Sequence, residues 1–146
     1  KYFMDDHSIF YAFSKEDNIN TKSLNPNLYK INKEIFMSFV KNQNNLVDSL
    51  NFKINQSSNK VYLFGAHVFS QSLIQSGLNT SLISCILDND PNKQGKRLYG
   101  TDLMVNSPSI LKQEDKPTII LKAGVYNEEI KNDIYKNINK NAIFLE

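Results

Sequence analysis

The feature that most constrains this chain is the alternation of short, unbroken apolar runs with helix-like segments from Lys60 onward. Val61-Tyr62-Leu63-Phe64, Leu82 to Leu87, Leu103-Met104-Val105, Thr118-Ile119-Ile120-Leu121 and Ala142 to Leu145 are such runs. A strand that is apolar at every position, rather than at every second one, is expected to be buried on both faces, as in a parallel sheet. Between the runs, Val68 to Gln75 reads as a helix closed by Gly77. Pro108 to Leu111 reads as a short helix capped by Ser107. Asn127 to Asn137 reads as a helix with Ile130, Ile134 and Ile138 on one face. Parallel strands need a crossover between them, and such crossovers are right-handed. Residues 60–146 are therefore predicted to form an α/β, Rossmann-like three-layer domain with a parallel five-stranded sheet in the order 3-2-1-4-5.

Upstream the pattern differs. Asn25-Pro26 has the chemistry of a helix start. Leu28, Ile31, Ile35, Phe36, Phe39, Val40, Leu46, Val47 and Leu50 then follow at three- and four-residue spacing. That spacing predicts a long amphipathic helix, so residues 25–59 are read as a connecting helix, packed by one face on the domain that follows, and a loop, Gln56 to Asn59. Ser8 to Phe13 is rich in β-forming residues and reads as one strand, with a polar linker after it. A lone strand has no sheet of its own, so residues 1–24 are expected to be the remnant of a preceding domain plus a linker. The chain opens at Lys1 without an initiator methionine, which suits the C-terminal part of a larger enzyme. It closes on Leu145-Glu146, a dipeptide that a C-terminal tag would also leave.

Composition narrows the function classes. The chain has 146 residues, 40% of them hydrophobic, enough for one domain with a substantial core. No apolar stretch reaches the roughly 18 residues of a membrane span, and Lys1 to Asp6 lacks the apolar run of a signal peptide. The single cysteine, Cys85, excludes an internal disulfide framework and a thiolate metal site, and suits a reducing cytoplasm. Net charge is +2, and Arg97 is the only arginine among scattered lysines. A nucleic-acid reader needs a concentrated basic face and arginine forks, so that partner is not expected.

In a sheet of this order, ligands bind outside the carboxyl ends of the first and fourth strands. Three segments end there: Gly65-Ala66-His67, Asp88-Asn89-Asp90, and Lys122-Ala123-Gly124-Val125-Tyr126. Against the dinucleotide fingerprint G-x-G-x-x-G, the glycine positions fall on Gly65, His67 and Ser70, so only the turn glycine is present. Asp88, 23 residues after Gly65, stands near the expected place of a ribose-binding acid. His67 has two readings: a hydrogen-bond donor to an anion at a helix N-terminus, or a plug in the cleft that a cofactor would fill. Asp88 is either a hydroxyl-binding group or a turn acid in Asp-Asn-Asp-Pro. Lys93, Lys96 and Arg97 could hold phosphate or lie solvated. Tyr99 and Tyr126 could stack on a base or sugar, or simply pack. His7 beside Asp5 and Asp6 is read as structural, and Glu128 and Glu129 as complementing a helix dipole. No catalytic triad and no metal-ligand spacing is visible.

The run Ile86-Leu87-Asp88-Asn89-Asp90-Pro91-Asn92-Lys93-Gln94-Gly95-Lys96-Arg97-Leu98-Tyr99-Gly100-Thr101-Asp102, followed by Val105 and Ser107-Pro108, resembles the C-terminal domain of bacterial sugar C-methyltransferases and related S-adenosylmethionine-dependent methyltransferases of surface-polysaccharide clusters. The resemblance covers roughly Asn25 to the end. It implies a substrate-binding or accessory domain that follows a catalytic domain and a long helix and helps hold a nucleotide-sugar. From the strand-end segments and loop residues above, the substrate-binding residues are expected to be Gly65, Ala66, His67, Asp88, Asn89, Lys93, Tyr99, Ala123, Gly124 and Tyr126. The methyl donor, S-adenosylmethionine, would be bound outside this chain, and the catalytic domain would be a partner in the same polypeptide. Two other readings stay open from the residues alone: a non-catalytic interaction or dimerisation module, and an NAD-binding fragment of a nucleotide-sugar epimerase or dehydratase.

Overall fold

Apolar runs bounded by glycine, proline and asparagine become buried strands because their backbone groups pair with neighbours while both faces are covered by helices. The structure, a computed structural model, describes Tyr2, Phe3, Ser8, Ile9, Lys15 and residues 26–146. Its contacts divide the chain into two units, Lys1–Ile35 and Phe36–Glu146.

In the first unit, β1 (Tyr2–Phe3) pairs antiparallel with β2 (Ser8–Ile9), Tyr2 opposite Ile9 and Phe3 opposite Ser8. The strand expected over Ser8 to Phe13 is therefore not alone where it is described: Tyr2 and Phe3 are themselves β-formers and supply its partner. Residues 10–13 lie outside the described residues. So do Asp5, Asp6, His7, the polar stretch after Asn18, and Asn25, where the helix cap was expected.

The second unit carries the predicted sheet. Its strands are β3 (Val61–Phe64), β4 (Ile83–Leu87), β5 (Val105–Asn106), β6 (Thr118–Leu121) and β7 (Ile143–Leu145). They run β5-β4-β3-β6-β7, every pair parallel, which is the order 3-2-1-4-5 within this domain. The helices are α1 (Leu28–Asn55), α2 (Val68–Gln75) and α3 (Asn127–Asp133), the last continuing as a π-helical turn over Ile134–Ile138. A 3-10 segment, Pro108–Gln113, stands where the short third helix was expected, with the Ser107 hydroxyl accepting from the Ser109 amide as its cap.

Alternation along the strands builds two cores. Leu63, Ile86 and Ile120 face one side with Val47, Leu50 and Ile54 of α1 and Leu73 of α2. Tyr62, Phe64, Cys85, Leu87, Ile119 and Leu121 face the other with Leu111 and Ile134. Three layers result, as predicted.

Two expectations shift. The third strand, expected at Leu103 to Val105, sits at Val105–Asn106. Leu103 and Met104 instead form the return arm of a hairpin: the Leu98 amide donates to Leu103 oxygen at 2.9 Å, and Arg97 bridges Met104. The long helix is also not covered along its whole stripe. Val47, Leu50, Ile54 and Gln43 are buried, whereas Leu28, Tyr29, Ile31, Ile35, Phe36, Met37 and Phe39 are exposed. Periodicity records that a face is apolar, not what covers it.

The course of α1 matters for the site. Near its C-terminus, Asn51 donates to Gly77 oxygen (2.9 Å) and accepts from the Asn79 amide (2.8 Å), just ahead of β4. Gln43, two turns earlier, meets Lys122, the first residue after β6. So α1 runs antiparallel to the strands and reaches their carboxyl edge at Gln43.

Candidate functional site

A cleft of about 400 Å³ opens at the carboxyl edge of the sheet. It is lined by Phe64 at the end of β3 and Gly65, His67, Val68 and Phe69 beyond it, by Asp88, Asn89 and Lys93 after β4, and by Ala123, Tyr126, Glu129 and Ile130 after β6. These are the places where strand order reverses and three connections diverge. A larger concavity of about 590 Å³ lies around Arg97 to Asp102, but all its lining residues belong to one hairpin tip. The edge cleft draws on three separate connections and is the better-defined site.

The turn after β3 is built around two constraints. Gly65 has φ +100°, a conformation that side chains resist, and a Cβ there would overlap Nε2 of His67. The imidazole thus lies over Gly65. Its Nδ1 accepts from the Phe69 amide at 3.3 Å, capping α2, which leaves the ring proton on Nε2. Burial, with Lys93 adding to it and Asp88 opposing, holds His67 below its ordinary value of 6.5, so the ring is neutral at pH 7. Ser70, at the third fingerprint position, is buried. Its hydroxyl donates to Phe64 oxygen at 3.3 Å, letting α2 sit close on β3.

Asp88 ties this turn to the next. Its Oδ2 accepts from the Ala66 amide (2.7 Å) and from the Lys93 ammonium (3.0 Å), and its Oδ1 accepts from the Asp90 amide (2.9 Å). The Gln94 amide group donates to its backbone oxygen at 2.9 Å. Burial works against ionisation of Asp88, but the two amides and the ammonium outweigh it and hold the carboxyl below its usual range. Three of its roughly four acceptor positions are taken, so its principal role is to fix the β3–α2 turn against the β4–β5 loop. The third connection is fixed likewise: Asn127 Oδ1 accepts from the Ala123 amide (2.7 Å), and Asn127 Nδ2 donates to Glu146 (2.6 Å). Glu146 in turn accepts from Lys131 at 2.6 Å.

Of the residues singled out from sequence, Gly65, His67, Asp88, Asn89, Lys93, Ala123 and Tyr126 line the cleft together. Ala66 contributes its backbone amide to Asp88. Gly124 opens the 3-10 turn Gly124–Tyr126 and does not line the cleft. Tyr99 is not brought there: it stands at the hairpin tip, 87% exposed, with its carbonyl accepting from Gln71. Arg97 pairs with Asp102 at 3.2 Å on the same hairpin, and Lys96 is exposed. Phe64, Val68, Phe69, Glu129 and Ile130 were not anticipated. Phe69 carried a usable signal, since an aromatic two residues into a helix that starts at the binding edge faces the cleft rather than the core. Glu129 belongs to the first turn of α3 as expected, and also lines the cleft.

The arrangement offers a ligand both polar and apolar contacts. Its lining combines Asn89 and Glu129, whose side chains have no hydrogen-bond partner among the described residues, with the apolar groups of Phe69, Tyr126 and Ile130. It does not have the open glycine turn through which a dinucleotide's pyrophosphate approaches the backbone, because His67 fills that space. The same turn and the already engaged Asp88 do not fit a methyl donor bound in the dinucleotide manner.

Fold and cleft together define a Rossmann-like α/β domain with a cleft at the carboxyl edge of its sheet and a first turn that His67 fills. The family model for the C-methyltransferase C-terminal domain matches residues 12–145, and the chain belongs to that family. Comparison with curated proteins and with solved structures returned no match. Among the described residues no helix is long and apolar enough to cross a membrane.

Proposed function

We propose that this C-methyltransferase C-terminal domain holds the acceptor substrate, a nucleotide-activated sugar, for a methyl transfer whose donor, S-adenosylmethionine, is bound in a preceding catalytic domain of the same polypeptide. The observation that carries the reading is His67 lying over Gly65. A cleft at the ligand edge of the sheet is retained, while its cofactor-type phosphate turn is filled. Such a cleft suits a sugar, whose hydroxyls hydrogen-bond to Asn89, Glu129 and Lys93 and whose apolar face rests on Phe69 and Tyr126. These residues bind and orient; none is assigned a step in the transfer. The proposed setting is cytoplasmic surface-polysaccharide biosynthesis.

The test is a thermal-shift and calorimetric comparison of nucleotide-sugars, nucleotides, NAD and S-adenosylmethionine on the 146-residue chain. A ligand at 100 times its dissociation constant raises stability by about 2.7 kcal/mol, readily seen in a domain of this size. Stabilisation by nucleotide-sugars but not by NAD or the methyl donor is expected, and it should be lost on Tyr126→Ala. Stabilisation by NAD or the methyl donor alone would overturn the reading.

A second reading, an association module, draws on the exposed apolar residues of α1 between Leu28 and Phe39. The preceding catalytic domain and a second copy of this chain are the partners it would name. Concentration-dependent sedimentation of this chain separates them, since only self-association makes the mass rise.

A further inference from the structure

Three lysines among the described residues are half-buried: Lys93, Lys122 and Lys131. A covered ammonium loses hydration and is normally compensated by a carboxylate. Lys93 has Asp88 at 3.0 Å, and Lys131 has Glu146 at 2.6 Å and Glu128 at 2.9 Å. Lys122 has none: among the described residues no carboxylate lies within ion-pair distance of it. Burial alone lowers its affinity for the proton. Its described partner is neutral, Gln43 Oε1 at 3.2 Å.

That partner is itself held. Gln43 is buried in α1, and its Nε2 donates to Ser72 Oγ of α2 at 3.4 Å. Because an ammonium can only donate, the Gln43 atom facing it must be the oxygen, which sets the amide the right way round for Ser72. Gln43 therefore anchors the Lys122 head while leaving its other N–H groups without a described partner. Lys122 lines a cavity of about 250 Å³ together with Phe39, Asn42, Gln43 and Leu46. The Asn42 amide lines the same cavity and has no hydrogen-bond partner among the described residues.

We propose that the Lys122–Asn42 cavity between α1 and the end of β6 is an anion subsite that takes a phosphoryl group. An ammonium with rotatable donors binds a phosphate oxygen as a point charge, a role that a guanidinium can also fill. The position adds to this. Ala123, the next residue, lines the main cleft, and successive side chains leave a strand end on opposite sides. A ligand crossing the end of β6 reaches both. The proposal deepens the substrate reading above by placing the diphosphate of the activated sugar at Lys122 and the sugar in the main cleft.

The test titrates the 146-residue chain with inorganic pyrophosphate and inorganic phosphate, and separately with a nucleoside diphosphate and a nucleotide-sugar. Binding is followed by calorimetry and by NMR signals of the Lys122 side chain and the Asn42 amide. Pyrophosphate is expected to move both signals. Its affinity should fall at least tenfold in Lys122→Gln and severalfold in Asn42→Ala, and stay within a few fold in Lys122→Arg and in Lys112→Gln, an exposed lysine on the 3-10 segment. If Lys122→Gln fails to fold, the wild-type signals and Lys122→Arg still decide. Pyrophosphate that leaves both signals unmoved overturns the subsite, as does equal weakening by Lys112→Gln. The substrate reading fails separately: pyrophosphate bound at Lys122, with no nucleotide-sugar bound by the chain, leaves the subsite standing and removes the sugar. A nucleotide-sugar bound equally well by Lys122→Gln does the reverse.

Discussion

Asp88 shows how one side chain can serve the fold and the site together. Its carboxylate joins the turn after β3 to the loop after β4 through Ala66, Asp90 and Lys93. Replacing it by asparagine removes the charge and at least one acceptor, and should cost about 1–3 kcal/mol in urea unfolding at pH 7. Because its folded-state pKa is depressed, that stabilisation is present above the ordinary carboxylate value and is lost as pH falls through the folded one. The gap between wild type and Asp88→Asn should therefore narrow as pH drops below about 4. His67 is depressed as well, so it too adds stability above its ordinary value that fades as pH falls beneath it. Asp88 opposes that depression and Lys93 adds to it. Asp88→Asn should then lower the His67 midpoint further, and Lys93→Gln should raise it, as read from the imidazole proton shift. Gly65→Ala tests the turn itself. The φ of +100° costs about 1–3 kcal/mol for a residue with a Cβ, and the displaced His67 ring loses its cap. Adding His67→Ala should recover little, because the backbone strain remains.

At the scale of elements, α1 is one helix with two fates. Leu50 is 1% exposed against the sheet, so Leu50→Ala should cost about 2–5 kcal/mol. Phe36 and Phe39 are 62% and 60% exposed, and either alanine substitution should change the stability of this chain by less than about 0.5 kcal/mol. Urea unfolding of the three variants checks both halves. Here the sequence was legible in part. Three- and four-residue spacing named the helix, and its end at Asn55 agrees with the loop expected from Gln56. The same spacing could not separate Val47, which the sheet covers, from Phe39, which it leaves open, because both satisfy the helical period. The turn elements behaved similarly. Ser107-Pro108 announced a helical start, but six residues of 3-10 geometry followed, since the segment must return within a short span to begin β6.

At the scale of the whole molecule, stability should be graded. Amides of Leu63, Ile86 and Ile120 lie in central strands between two cores, whereas the backbone from Leu28 to Phe39 belongs to a helical stretch whose side chains are exposed. An uncovered helical stretch this short is marginal in water, so its amides should exchange with solvent orders of magnitude faster than those of the three strands. Hydrogen exchange followed by NMR reads this directly. Uniform protection would show that the two halves of α1 unfold together. The sequence by itself determined the layer architecture and the strand order, because unbroken apolar runs, crossover helices and their handedness admit few other arrangements. It also pointed to the sheet edge where ligands bind, since that edge follows from topology. Only the tertiary structure decided what the edge residues do. It laid His67 over Gly65, spent Asp88 on the Ala66 and Asp90 amides, and carried Tyr99 out to a hairpin tip. It also brought Gln43 to Lys122 across 79 positions of chain. Each depends on side-chain directions and long-range contacts, which local pattern does not encode.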